Sequence, residues 1–244
     1  MLELKNIHWE LPDGGELIKG VDLTIRPGKL TVITGPNGGG KTTLAKLIAG
    51  LYMPTEGQIV LNGKDITKCG ITERAKAGIA YAFQQPVRFK GLTVRQLLQI
   101  ASGKEMKEFE MCHILEKVGL CAAEYMNRPL DTHLSGGESK RIEIATVLAR
   151  NVQVLLFDEP EAGIDLWSFS SLIETFEKLK TEKSGALLII SHQERILNIA
   201  DEIVLIADGR IQAQGDRDAV MPKLNIDGRG CGCPLGREVV NGQI

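Results

Sequence analysis

Two short stretches of this chain have the make-up of anion grips. In "GPNGGGKTT", residues 35–43, Gly35, four intervening residues, Gly40, Lys41 and Thr42 complete a phosphate-loop (Walker A) pattern. Glycines let such a loop curl until its N–H groups point inward at the α- and β-phosphates of a nucleotide. Pro36, Asn37, Gly38, Gly39 and Thr43 fill out the cradle. Lys41 is expected to set a point charge between the β- and γ-phosphates, and the Thr42 hydroxyl to reach Mg²⁺. The second grip, "LSGGESKR" at 134–141, puts a hydroxyl and two glycines at the mouth of a helix, where free N–H groups favour an anion. The chain thus raises the question of whose phosphate the second grip holds.

Acidic residues supply the rest of the chemistry. "VLLFDEP" (154–160) is an apolar strand ending in two carboxylates, and charges at the end of a buried parallel strand face the crevice where ligands bind. Asp158 is placed to hold the hydration shell of Mg²⁺, while Glu159 either accepts a proton from an attacking water or orients it. The plain alternative is that both carboxylates cap the following turn. His192, after "ALLIIS", and Gln84, after "IAYAF", stand at two further strand ends. Alone each is more often structural, and glutamines at strand ends are common; beside the crevice, His192 is read as a γ-phosphate contact.

The elements around these residues follow from periodicity. "LELKNIHWEL" and "LIKGVDLTI" alternate apolar and polar residues and read as antiparallel strands separated by the turn residues "PDGG". "KLTVITG" reads as a buried strand, and in "KTTLAKLIAGL" Leu44, Leu47, Ile48 and Leu51 share one helical face. A hairpin at "GQIVLNGKDI" and a strand at "GIAYAF" come next, and the pattern is helical from about Leu92 to Pro129. Beyond "LSGGE" the strands "VQVLLFDEP" and "GALLIISH" alternate with helices. That alternation predicts a mainly parallel sheet covered on both faces. The tail, 217–244, is Gly-rich and is expected to be loosely ordered.

Composition narrows the class. The 244 residues are 43% hydrophobic and 25% charged with a net charge of −2, ordinary values for a globular chain with a sizeable core. No global basic field recruits nucleic acid, and aromatics are only 5%. "ALLII" is far too short to cross a bilayer, and the charged start "MLELKNIHWE" lacks the apolar stretch of a signal peptide. A cytoplasmic protein is expected. Five cysteines, scattered except for Cys231 and Cys233, do not read as a disulfide framework. The paired thiols are either a redox or soft-metal site or have no such role, since two ligands do not complete a tetrahedral zinc site.

Taken in order, the phosphate loop, Gln84, Leu134 to Glu138, Asp158–Glu159, Asp165 and His192 resemble the ATP-binding cassette (ABC) ATPases over residues 1 to about 216. The resemblance implies a P-loop α/β fold with a mainly parallel core sheet, an antiparallel N-terminal β subdomain and a helical insert at about 92–130. It implies a Mg²⁺-dependent ATPase that works as a head-to-tail dimer with a second copy of itself. Ser135, Gly136, Gly137 and Glu138 then grip the ATP of the partner cassette, and Asp165 lies in the loop where the two cassettes meet. Lys41, Glu159 and His192 carry the catalytic roles, and Thr42, Gln84 and Asp158 the Mg²⁺. The aromatic on which the family stacks adenine has no counterpart at its usual place, near Pro12. Trp9, three residues earlier, is either that platform or strand packing.

Several stretches, "AFQQPV", "LSGGESKRIEI", "EAGIDLWS" and "SHQERILNIADEI" among them, look like the ATPase branch of the SUF iron–sulfur cluster assembly system (SufC). That branch implies a SufB/SufD-like scaffold protein as the driven partner. The "DEP" at 158–160 is instead the transporter form, which implies the nucleotide-binding subunit of an ABC membrane transporter. With the assembly partner, the family resemblance implies a docking surface around the Gln84 loop and the helical insert, where Arg88, Lys90 and Arg95 are either that surface or a solvated face.

Overall fold

The computed structural model describes residues 1–83, 91–130, 134–150, 152–182 and 185–227. Gln84, Arg88, Lys90, Cys231 and Cys233 lie outside the described residues. Chain order begins with β1 (Leu2–Glu10), β2 (Glu16–Ile25) and β3 (Leu30–Thr34), then α1 (Lys41–Ala49), β4 (Glu56–Leu61), β5 (Lys64–Asp65), α2 (Ile71–Lys76) and β6 (Ile79–Ala82). The helical insert follows as α3 (Val94–Ser102), α4 (Glu108–Lys117) and α5 (Ala122–Tyr125). Next come α6 (Gly136–Ala149), β7 (Val154–Asp158), α7 (Leu166–Glu182), β8 (Ala186–Ile190), α8 (Glu194–Ile199), β9 (Glu202–Ala207), β10 (Arg210–Asp216) and α9 (Arg217–Asp227).

The strands form two sheets. A four-stranded antiparallel sheet runs β2-β1-β4-β5, and a six-stranded sheet runs β10-β9-β3-β8-β7-β6. In the larger sheet β9, β3, β8, β7 and β6 pair parallel and only β10 is antiparallel. Its central strands, "LTVIT", "VLLFD" and "ALLII", are buried at every position, as strands covered on both faces must be. Alternate residues serve the two faces. Val154 and Leu156 join the apolar cluster of the N-terminal sheet and α1, whereas Leu155 and Phe157 join that of the insert helices, α6 and α7. Phe157 meets Phe176 edge-on at 5.2 Å between ring centroids.

The helix after the phosphate loop is fastened from an unexpected side. Arg74 of α2 is fully buried and donates to the carbonyls of Leu47 and Ile48 at the end of α1, and to those of Thr67 and Cys69. It thereby satisfies carbonyls that a helix end leaves without partners. Burial lowers the guanidinium pKa from its usual value, and the nearby Cys69 and Asp65 oppose that shift.

The C-terminal segment differs from expectation at its start. Residues 217–227 form α9, with Val220 buried and Met221 and Leu224 against the core. The run of apolar residues in "AVMPKL" precedes the Gly-rich stretch, so burial wins over composition there. Replacing Arg74 by Met is expected to cost about 3 kcal/mol, since buried carbonyls lose their donors; the urea midpoint of the variant checks it.

Candidate functional site

The phosphate loop leaves the end of β3 and returns as α1. Gly35 has φ 140°, and a Cβ placed there would stand 2.0 Å from the carbonyl oxygen of Ile206 on β9. Only glycine passes that close to the neighbouring strand. The loop opens onto a cleft of about 220 Å³ lined by Leu17, Asn37, Gly38, Gly40, Lys41, Thr42, Thr43 and Glu159. Lys41 Nζ donates to the carbonyls of Gly35 at 2.8 Å and Pro36 at 2.9 Å. Burial lowers its pKa, and the carboxylates of Glu159 and Asp158 pull it back up.

Asp158 ends β7 almost completely buried. Thr42 Oγ1 donates to its Oδ1 at 3.2 Å, and the hydroxyl of Tyr81 on β6 donates to its Oδ2 at 2.8 Å. Burial raises the Asp158 pKa, and these donors restrain the rise. The same surroundings push the Tyr81 hydroxyl well above its usual pKa, burial first and the Asp158 charge second. A hydroxyl beside a carboxylate at the rim of a phosphate cleft is an oxygen donor set that suits Mg²⁺, which uses few protein ligands and completes its shell with water and phosphate oxygens. Among the described residues no group of three or more acidic, His or Cys side chains that could hold a metal occurs.

Glu159, on the cleft wall, has φ 44°, a left-handed backbone that costs a non-glycine residue of order 1 kcal/mol and is found at functional turns. Its N–H donates to Ile190 O at 2.9 Å, tying the turn after β7 to the end of β8. A further carboxylate sits here that the sequence pattern did not single out. Glu161 Oε1 accepts from Ser191 Oγ at 2.5 Å. Burial raises the Glu161 pKa; the Ser191 hydroxyl and His192 lower it, and Glu159 raises it. The structure therefore brings Glu159, Glu161 and His192 to one place, with the His192 side chain exposed.

The second grip stands on another part of the surface. Ser135 is the N-cap of α6: its hydroxyl accepts from Glu138 N at 3.2 Å and its N–H donates to Glu138 Oε2 at 2.7 Å, a reciprocal capping box. Glu138 also accepts from the Tyr125 hydroxyl and from Arg128 at 3.1 Å. Its pKa is pushed down to about 2, chiefly by the Tyr125 hydrogen bond, with the Ser135 donors and Arg128 adding to it. The Glu138 carboxylate is thus engaged within its own chain. Asp165 lies beside this helix end: a Cβ on Gly137 would be 3.4 Å from Asp165 Oδ2 and 2.8 Å from Ser168 Oγ. Gly136 is equally close to the loop, with Gly163 O at 2.8 Å from such a Cβ. Asp165 Oδ1 in turn accepts from Ser168 N at 3.0 Å at the start of α7. Ser135, Gly136, Gly137 and Asp165 are thus neighbours, and none of them lines the phosphate cleft.

An ion pair ties α6 to the strand leading to Gln84. Lys140, buried in α6, donates to Phe83 O at 2.6 Å and stands 2.9 Å from Glu143, whose Oε1 accepts from Phe83 N at 3.0 Å. Trp9 stacks on Tyr52, 4.9 Å between centroids and 9° between planes, as packing within the N-terminal region. Arg95 of the expected docking surface pairs with Glu108 at 3.0 Å and also donates to Asn127.

The fold and the cleft define a P-loop nucleotide hydrolase. The family model described as ABC transporter matches residues 18–162. An uncharacterized ABC transporter ATP-binding protein of Methanocaldococcus jannaschii is 40% identical over 224 residues, covering 88% of this chain and 89% of that one. A probable ATP-dependent transporter of Cyanophora paradoxa is 32% identical and covers 93% of each chain. Among solved structures, a dimeric ATP-binding cassette bound to ADP and Pi superposes with a TM-score of 0.78 at 25% identity, over 89% of this chain and 99% of that one. The chain belongs to the ABC transporter ATP-binding family. It is an ABC-type ATPase that uses ATP with Mg²⁺. The relatives carry transporter names, which fits the transporter reading of the sequence better than the iron–sulfur one.

Gly35→Ala is expected to weaken MgATP binding by about 100-fold, because the loop must move off β9. Gly63→Ala, at φ 80° with open space around it, imposes backbone strain without a close approach and serves as the control. Titration calorimetry checks both; unchanged affinity in the first variant contradicts the close-approach reading.

Proposed function

We propose that this chain is the nucleotide-binding subunit of an ABC transporter, paired head to tail with a second copy across two ATP molecules. The observation that supports this reading most is the division of the site: the phosphate cleft lacks Ser135, Gly136 and Gly137, which are grouped with Asp165 elsewhere. One copy therefore offers half of each of two sites, and pairing completes both. Lys41 and the loop N–H groups hold the β- and γ-phosphates. Thr42 and Asp158, with Gln84, would hold Mg²⁺, which would supply positive charge against the phosphate oxygens. Glu159 takes a proton from the water that attacks the γ-phosphate, or orients that water, and His192 contacts the γ-phosphate. Ser135, Gly136 and Gly137 close on the partner copy's nucleotide, with Asp165 at the contact between copies; Glu138 supports them through the helix cap rather than by direct contact. Closure and release upon hydrolysis move the driven partner.

A second reading is that the partner is a soluble SufB/SufD-like scaffold of iron–sulfur cluster assembly. It is favoured by the segments "SGGESKRIEI" and, after β8, "SHQERIL", which look like that branch. The ATP chemistry is the same in both.

Glu159→Gln is expected to slow hydrolysis by about 100-fold or more and to trap a dimer with MgATP. Light scattering after size exclusion checks it; a variant that stays monomeric with MgATP counts against the paired site. Anaerobic affinity purification from native cells separates the two partners. A polytopic membrane protein in the eluate supports the transporter, and a soluble protein carrying iron and labile sulfide supports the assembly reading.

A further inference from the structure

We propose that Glu161 is a positioning residue of the hydrolytic centre, which fixes the turn carrying His192 through the buried Ser191. The inference rests on the roles proposed above for Glu159 and His192. At the end of β8 the chain leaves the sheet and runs through residues 191–193 into α8, and Ser191 anchors that connection. Its N–H donates to Ile33 O at 3.1 Å, its hydroxyl donates to Glu161, and the same hydroxyl oxygen accepts from Gln193 N at 3.0 Å. Ser191 is wholly buried, while the His192 side chain is exposed. Ser191 therefore holds the backbone on either side of His192, before it through its own N–H and after it through its hydroxyl, and that hydroxyl is aimed by one carboxylate.

The carboxylate sits two residues after Glu159, across Pro160. Glu159 N donates to Ile190 O, and Glu161 Oε1 accepts from Ser191. Glu159 and Glu161, two positions shortly after β7, are thus cross-linked to the successive Ile190 and Ser191 at the end of β8. The turn bearing the group that handles water and the turn bearing the γ-phosphate contact become one rigid unit. Catalysis by positioning is sensitive to displacements of about 1 Å, so loosening one link lowers turnover without touching the phosphate loop. A hydrogen-bond acceptor is what the link requires, and a neutral amide oxygen supplies one, weaker than a carboxylate's but in the same place.

The test measures kcat for MgATP hydrolysis, with MgATP affinity by calorimetry, for Glu161→Ala, Glu161→Gln, Ser191→Ala, His192→Ala and the Glu161→Ala/His192→Ala double variant. Glu161→Ala is expected to lower kcat by more than about tenfold with affinity within about threefold of the parent, and His192→Ala to lower kcat by at least as much. Glu161→Gln should retain most of the turnover. The double variant should be no slower than the slower single one, because both act through the same group. Full turnover in Glu161→Ala, or losses that multiply in the double variant, overturns the proposal. If Glu161→Ala does not fold, Ser191→Ala breaks the same bond from its other end and must show the same loss; parental turnover there overturns the proposal equally. Parental turnover in His192→Ala overturns the hydrolytic assignment itself, which is a different failure from an inert Glu161.

Discussion

A carboxylate at the end of a buried strand is costly to keep ionised, and Asp158 is kept usable by donors from either side. Tyr81 reaches it from β6 and Thr42 from the first turn of α1. The charge can be stabilised only while β6, β7 and α1 hold their relative places, since burial alone drives the carboxyl toward its neutral form. In the β6–β7 ladder Tyr81 stands opposite Leu156. A slip of one residue would turn the phenol to the other face of the sheet. The register of two parallel strands is therefore part of the chemistry of the cleft.

The same strand connects the two poles of the molecule. Tyr81 serves Asp158, and Phe83, two residues on, is held at both its N–H and its carbonyl by Glu143 and Lys140 of the helix that begins at the second grip. The rings of Tyr81 and Phe83 meet edge-on at 4.7 Å. A buried ion pair contributes little net stability once desolvation is counted, yet removing one partner is severe. The value of Lys140 and Glu143 lies in geometry: they set where α6 stands relative to the strand that supports Asp158.

The parts of the site written contiguously were legible in the sequence. The phosphate loop and the Asp158–Glu159 pair each lie at one junction between a strand and the turn that follows it, where spacing translates directly into shape. The core sheet was legible for a related reason, because "VLLFD" and "ALLII" are apolar at nearly every position and only a doubly covered strand requires that. What stayed hidden was contact between distant segments. Tyr81 looked like one more residue of an apolar strand, and Glu161 like part of a turn, since their partners are 77 and 30 residues away. The resemblance puts Glu138 among the signature residues, and its carboxylate is held within its own chain by the N-terminal cap of α6, Tyr125 and Arg128. Helix α2 carried too short a pattern to stand out, and α9 was masked by the glycines beyond it.

Arg74 gives the region behind the phosphate loop an all-or-none character. Its guanidinium lies out of water, and the carbonyls that repay its dehydration come from the end of α1 and from the segment between β5 and α2. With only one of those segments in place, the cation would be stripped of solvent without its full set of acceptors, so a half-assembled intermediate carries a penalty that the finished structure does not. Because arginine keeps its proton at any physiological pH, that penalty cannot be relieved by titration. The nucleotide-binding helix and its support should therefore form and melt together, as a single folding unit.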